Sequence, residues 1–258
     1  MTKPVLLVFD YPGPRREARL ADLALQEAGY EVRSLMVPPL PREPSAAAYA
    51  GRALEVGGPL TGPVRAVLGY CMAAPLAQEA AARTGAPLLL LFDGEPATPA
   101  AVEREYRGLL GSVGAPPALP AWWTGGLVAE RSGAFLEHAG RHLTEEIREA
   151  LAAQEDPDFE EEDAAEALAP LVGSFLDWMA YLVAAHRTDH PSWPGTAVNF
   201  LSRSQPEIHS WPGAATTRSV RLDVPREELP AAAPTRSLVL EALETHRRDG
   251  AISEAGAR

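Results

Sequence analysis

The 258-residue chain holds one cysteine, and the stretch around it, "VRAVLGYCMAAPLAQEAA" (64–81), frames a particular chemistry. A strand-like apolar run ends at Tyr70, and a helix-forming run starts at Met72. Cys71 falls on the turn between them, with Gly69 two residues before it and Ala73 two residues after it. Small residues at those places let a strand close sharply onto a helix and lift the apex side chain clear of its neighbours. A thiol on such an apex is a candidate nucleophile, because the N-terminus of the following helix favours the thiolate without a separate base. A lone cysteine elsewhere is by default a small buried side chain; here the frame favours the nucleophile.

Other residues with chemical potential are fewer. In "LLLLFDGEPATP" (88–99), Asp93 ends an apolar run and places a carboxylate at the carboxyl edge of a strand. Of the six histidines, His209 is the best candidate base, since its loop leaves the carboxyl end of a later strand. His186 and His190 are fallbacks. His138 and His142 are four apart on one helix face, as metal ligands can be, but no third ligand accompanies them and no metal site is expected. One cysteine also excludes a disulfide framework and a cysteine-based zinc site. Trp122, Trp123, Trp193 and Trp211 read as core or rim residues rather than a cofactor cage.

These residues need elements to hold them. "PVLLVFD" (4–10), "EVRSLMV" (31–37), "VRAVLGY" (64–70) and "APLLLLFD" (86–93) are strand-like, and helical patterns over 14–30, 45–58 and 72–84 lie between them. Such alternation predicts an α/β fold, a mostly parallel sheet with helices on both faces. Residues 100–113 and, after a Pro- and Trp-rich stretch, 134–153 and 162–187 read as helices with no strand between. "TAVNFLSR" (196–203) and "RSVRLDV" (218–224) then resume the sheet, and 234–248 closes it with a helix. The expected division is an α/β core in 1–113, a helical lid insertion in 114–192, the last strands and closing helix in 193–248, and a flexible tail in 249–258. The acid run "EDPDFEEEDAAE" (155–166) reads as a solvated turn, its carboxylates favoured at a helix N-terminus.

The formal net charge of −12 argues against a general affinity for nucleic acid or an anionic membrane. No apolar run approaches the ~20 residues that span a bilayer, and no leader pattern precedes the first strand. A cytoplasmic protein is the expectation.

The order of elements, the frame Gly69-Tyr70-Cys71-Met72-Ala73, the segment ending in Asp93 and "AVNFLSRSQPEIHSWPG" (197–213) together resemble the thioesterase branch of the α/β-hydrolase superfamily. Those enzymes release or edit acyl chains on polyketide and nonribosomal peptide assembly lines. The resemblance implies that Cys71 is the nucleophile and Asp93 the triad acid. It also implies an oxyanion hole from the backbone N–H groups of Met72 and of the loop after the first strand, at Tyr11. The chain departs from the pattern twice. Cysteine replaces serine, and "DVPREELP" (223–230) lies where the family carries its histidine, with Glu228 aligned to it.

The implied function is transfer of an acyl chain from a carrier-protein thioester onto Cys71, then release by cyclisation or acyl transfer. Thioester exchange is nearly thermoneutral, and without a strong base water is poorly activated. No cofactor is implied, phosphopantetheine entering only as part of the substrate, and the partner would be an acyl or peptidyl carrier protein. Arg15, Arg16, Arg104, Arg107 and Arg203 are the cations available to dock it. The missing histidine supports the alternative, a catalytically degenerate fold that binds a carrier or partner protein.

Overall fold

The apolar runs become strands because both of their faces are covered. The computed structural model describes residues 2–13, 17–152 and 161–256. In chain order they form β1 (Val5–Phe9), β2 (Glu31–Ser34), α1 (Ala46–Val56), β3 (Val64–Tyr70), α2 (Ala74–Thr84), β4 (Leu88–Phe92), α3 (Pro99–Ser112), α4 (Gly125–Glu130), α5 (Ser132–Ala152), α6 (Glu161–His186), β5 (Trp193–Leu201), β6 (Ala214–Arg221) and α7 (Ala233–Gly256). The sheet order is β2-β1-β3-β4-β5-β6, and each neighbouring pair runs parallel.

Side-chain alternation divides the sheet into two apolar faces. Leu6, Val8, Leu68, Tyr70, Leu90, Phe92, Val198 and Phe200 share one face and pack with Val239 and Leu243 of α7. The register pairs Phe92 with Phe200, and their rings stack at 5.1 Å. Gly69 points the other way, into α2: a Cβ there would lie 2.8 Å from Ala77 Cβ. Helices thus cover both faces, as the alternation of elements predicts.

The chain divides into two compact units, Met1–Pro38 with Ala50–Pro96 and Thr188–Arg258, and Pro39–Tyr49 with Ala97–Arg187. The first holds the sheet. The second is helical, and in it Arg42 Nε donates to Asp177 Oδ1 at 2.7 Å while Ser132 Oγ donates to Pro44 O at 3.1 Å. Tyr106 is buried among Trp122, Trp123 and His142, with its hydroxyl 2.8 Å from His142 Nδ1. The division falls at Ala97, so α3 groups with the helical unit rather than with the core expected through 113.

Two local expectations are corrected. Instead of a helix over 14–30, the described part forms a single 3-10 turn, Leu20–Leu23, closed by Ala24 at φ 48°. A side chain takes over a backbone group that helix would use, the Leu20 N–H donating to Asp10 Oδ2 at 2.8 Å, while Arg19 binds the upstream carbonyls of Tyr11, Pro12 and Gly13. Secondly, α7 continues to Gly256, through most of the expected tail. Arg15, Arg16 and much of the acid run at 155–166 lie outside the described residues.

Candidate active site

The strand-to-helix turn forms as the sequence frame requires. β3 ends at Tyr70, Cys71 takes φ +55°, and a 3-10 turn, Cys71–Ala73, leads into α2. A non-glycine residue in this left-handed region costs about 1–2 kcal/mol, so the surrounding packing must hold it there. Gly69 is required, since any side chain would strike Ala77 and the Ala74 backbone. Ala73 and Ala74 are fully buried at the start of the helix.

Two charged side chains meet the partly buried thiol. Arg226 Nη2 donates to Cys71 Sγ at 2.6 Å, and Sγ–H donates to Glu95 Oε1 at 3.2 Å. Arg226 Nη2 is 3.7 Å from the same Glu95 oxygen, closing a triangle. Burial, opposed by Arg226 and reinforced by Glu95, pushes the thiol up to about 12; the Met72 backbone N–H also bonds the sulfur and favours the thiolate. Burial pulls Arg226 down, but Cys71, Tyr70 and Glu95 together hold its guanidinium above its ordinary value.

The elements explain how these groups arrive. Glu95 follows β4 by three residues, and its N–H donates to Cys71 O at 3.3 Å, which fixes it beside the apex. Arg226 opens a 3-10 turn, Arg226–Glu228, after β6. Tyr70 Oη donates to Arg226 O at 3.4 Å and Ala18 N to Glu227 O at 2.7 Å, so two other segments pin the turn. Three residues per 3-10 turn put Arg226 and Leu229 on one side. Leu229 is fully buried, so Arg226 faces inward while Glu227 and Glu228 face solvent. The segment aligned with the family histidine therefore presents Arg226 to the thiol, and Glu228 is corrected to an exposed position.

Asp93 lies just beyond β4 at φ +47° and is fully buried. Its Oδ1 accepts from the Ser202 N–H at 2.7 Å and its own N–H donates to Phe200 O at 2.9 Å, which ties the ends of β4 and β5 together. Its Oδ2 has no hydrogen-bond partner among the described residues. His209 has a side chain 84% exposed and faces Glu207 at 3.7 Å. Among the described residues no hydrogen bond or ion pair joins His209 to Asp93 or Cys71. His186 Nδ1 donates to Ala97 O at 2.9 Å, and His190 Nδ1 lies 3.2 Å from Gln78 Oε1. His138 stacks on Trp122, and His142 meets Tyr106 and Glu146. No group of three metal-ligating side chains occurs among the described residues.

The Met72 N–H, expected to serve an oxyanion, is bonded to the Cys71 sulfur. The Tyr11–Gly13 loop is anchored by Arg19 through its carbonyls, at 2.8–3.3 Å. Glu95 and Arg226 were not singled out from the sequence. Their signal was an acid and a base inside the two segments, "FDGEP" and "VPREE", where the resembled family keeps its triad acid and histidine.

No family model and no curated protein matches the sequence. Solved structures do match. The NocB thioesterase domain, crystallised as a covalent complex with a fluorophosphonate nocardicin G analogue, is 16% identical with a TM-score of 0.52, covering 94% of this chain and 95% of that one. A proposed epoxide hydrolase from Pseudomonas aeruginosa is 16% identical at TM-score 0.52, covering 96% of this chain and 90% of that one. The four-domain nonribosomal peptide synthetase AB3403, bound to AMP and glycine, is 12% identical at TM-score 0.53 over 95% of this chain and 19% of that one. The chain has an α/β-hydrolase-like fold, with cysteine on the strand-to-helix apex.

Proposed function

We propose that Cys71 accepts an acyl chain from a carrier-protein thioester and passes it on by cyclisation or acyl transfer, in the assembly of a natural product. One observation carries this reading: the chain's only thiol is held on a strained apex with a guanidinium on its sulfur. Strain of this kind persists where the surroundings over-determine it, and it concentrates at reactive sites. Thioester-to-thiol exchange changes the free energy little, and an enzyme thioester is well suited to attack by an amine, hydroxyl or carbon of the bound chain. The likeness to the NocB thioesterase domain and to a nonribosomal peptide synthetase supports a carrier protein as partner, its phosphopantetheine arm arriving as part of the substrate. The chemistry needs no cofactor. Asp93 serves by tying β4 to β5 and so placing Glu95, while His209 takes no part.

A second reading, a binding protein for an acyl carrier, is favoured by a different observation. Burial and Glu95 raise the thiol to about 12, which keeps it protonated at rest. Intact-protein mass spectrometry after incubation with a short acyl N-acetylcysteamine thioester separates the two. The expected result is one acyl mass on the wild type and none on C71A; an unmodified wild type would favour the binding protein.

A further inference from the structure

We infer that Glu95 is the proton acceptor for Cys71 and Arg226 the counter-ion of its thiolate, so that a Cys–Glu–Arg site replaces the histidine-based one. The inference rests on Cys71 acting as an acyl acceptor. It stands on the triangle itself: Sγ to Glu95 Oε1 at 3.2 Å, Arg226 Nη2 to Sγ at 2.6 Å and to Glu95 Oε1 at 3.7 Å. Glu95 and Arg226 remain 34% and 35% exposed, so an entering chain can reach both. No histidine is bonded to the thiol among the described residues.

Charge conservation decides between the ways of making the nucleophile. Losing a proton to solvent leaves two negative groups, Cys71 and Glu95, against one guanidinium; that is the step burial resists. Moving the proton from Sγ to Glu95 Oε1 keeps one negative charge in the site and only relocates it toward Arg226.

The steps then balance. The Cys71 proton passes to Glu95, and the thiolate, paired with Arg226, attacks the thioester carbonyl. As the C–Sγ bond forms, the bond to the carrier's sulfur breaks, and that thiolate takes the proton from Glu95. In the second half a nucleophile within the acyl chain attacks the Cys71 thioester and gives its proton to Glu95. Cys71 leaves as a thiolate against Arg226 and recovers the proton from Glu95. The substrate class is an acyl thioester carrying its own nucleophile.

The test sets two reactions of one thiol against each other in E95Q and R226M, with E95D and R226K as conservative controls and thermal melting to confirm that each folds. In E95Q the repelling charge is gone, so iodoacetamide should label Cys71 faster than in the wild type near pH 7.5. Acyl-enzyme formation from the N-acetylcysteamine thioester should nevertheless fall by about 10²-fold or more, the usual scale for losing a general acid–base group, because the leaving sulfur, unlike iodide, then has no Glu95 proton to take. E95D should recover part of it. R226M should slow both reactions, and R226K should restore part of each. Acylation by E95Q at the wild-type rate, or labelling of R226M at the wild-type rate, would overturn the assignment. If the wild type takes up no acyl group, the acyl-acceptor reading fails on its own. The labelling order E95Q, wild type, R226M then still supports the Cys–Glu–Arg site, and any other order overturns it.

Discussion

Arg226 Nη2 lies 2.6 Å from Cys71 Sγ although the two residues are 155 apart in the chain. β4 and β5 lie between their strands in the sheet, and the turn after β6 still reaches β3, anchored through Tyr70 Oη to Arg226 O. A charge-assisted bond this short gives the sulfur a fixed counter-ion and leaves its reactivity to the balance between Arg226 and Glu95.

The first prediction is a pH profile for the wild type. With burial and Glu95 holding the thiol near 12, iodoacetamide labelling should rise from a pH-independent floor set by proton transfer to Glu95 and then climb about tenfold per pH unit toward pH 10 with no plateau, since the thiolate is the reactive form. The linkage has a definite sign. An unfolded thiol, with its ordinary value of 9.0, releases its proton sooner than the folded one, so this residue's contribution to stability is present below pH 9 and fades above it. A labelling plateau near pH 8.5, the free-thiol range of about 8–9, would show that burial does not act on Cys71.

Backbone strain at the apex makes a second, independent forecast. In ordinary backbone, glycine is about 0.5–1 kcal/mol less favourable than alanine within a regular element. At φ +55° the order should invert, with C71G melting higher than C71A even though both lack the thiol. Equal or reversed melting temperatures would mean that the apex relaxes once the side chain is removed.

Asp93 and His209 should behave as unrelated residues. D93A removes the acceptor for the buried Ser202 N–H and should cost about 1–3 kcal/mol. D93N keeps an acceptor oxygen and tolerates φ +47° well, so it should be much milder. H209A, an exposed change, should leave acyl-enzyme formation unaltered and add nothing to D93N in the double variant. Urea unfolding and single-turnover acylation of the four proteins test this; strong non-additivity would place His209 in the site after all.

Away from the thiol, buried Gln78 joins two loops. Its Nε2 donates to Pro191 O and Pro212 O at 3.1 and 2.7 Å, and its Oε1 accepts from Trp211 Nε1 at 2.9 Å and faces His190 Nδ1. Burial, partly offset by Asp189, lowers the His190 value below 6.5. The unfolded imidazole therefore takes a proton that the folded one resists, and stability is lost as pH falls through 6.5. H190N, which tolerates the left-handed φ of 44°, should lose less stability than the wild type between pH 7.5 and 5.5 in urea melts. Equal losses would show that His190 does not titrate differently on folding.

By itself the sequence determined the sheet, because unbroken runs such as "VLLVF" and "LLLLF" bury on both faces only in a parallel, helix-covered arrangement. It also determined the turn at Cys71, since only glycine fits at 69 against Ala77 and only small residues open α2. Both are local matters of period and size. The tertiary structure alone decided what faces the thiol. Whether Arg226 or Glu228 points inward depends on a single 3-10 turn whose buried anchor is Leu229, and a two-residue shift along "REEL" is invisible to motif alignment. Glu95 likewise gained its place from the Asp93–Ser202 bond and its own N–H to Cys71 O, contacts between segments that no spacing rule connects. His209, promising on a loop at the carboxyl edge, lies exposed beside Glu207 because nothing in that loop buries it. Periodicity is fixed by neighbours in the chain; the side chains that meet at a site are fixed by packing between elements far apart in it.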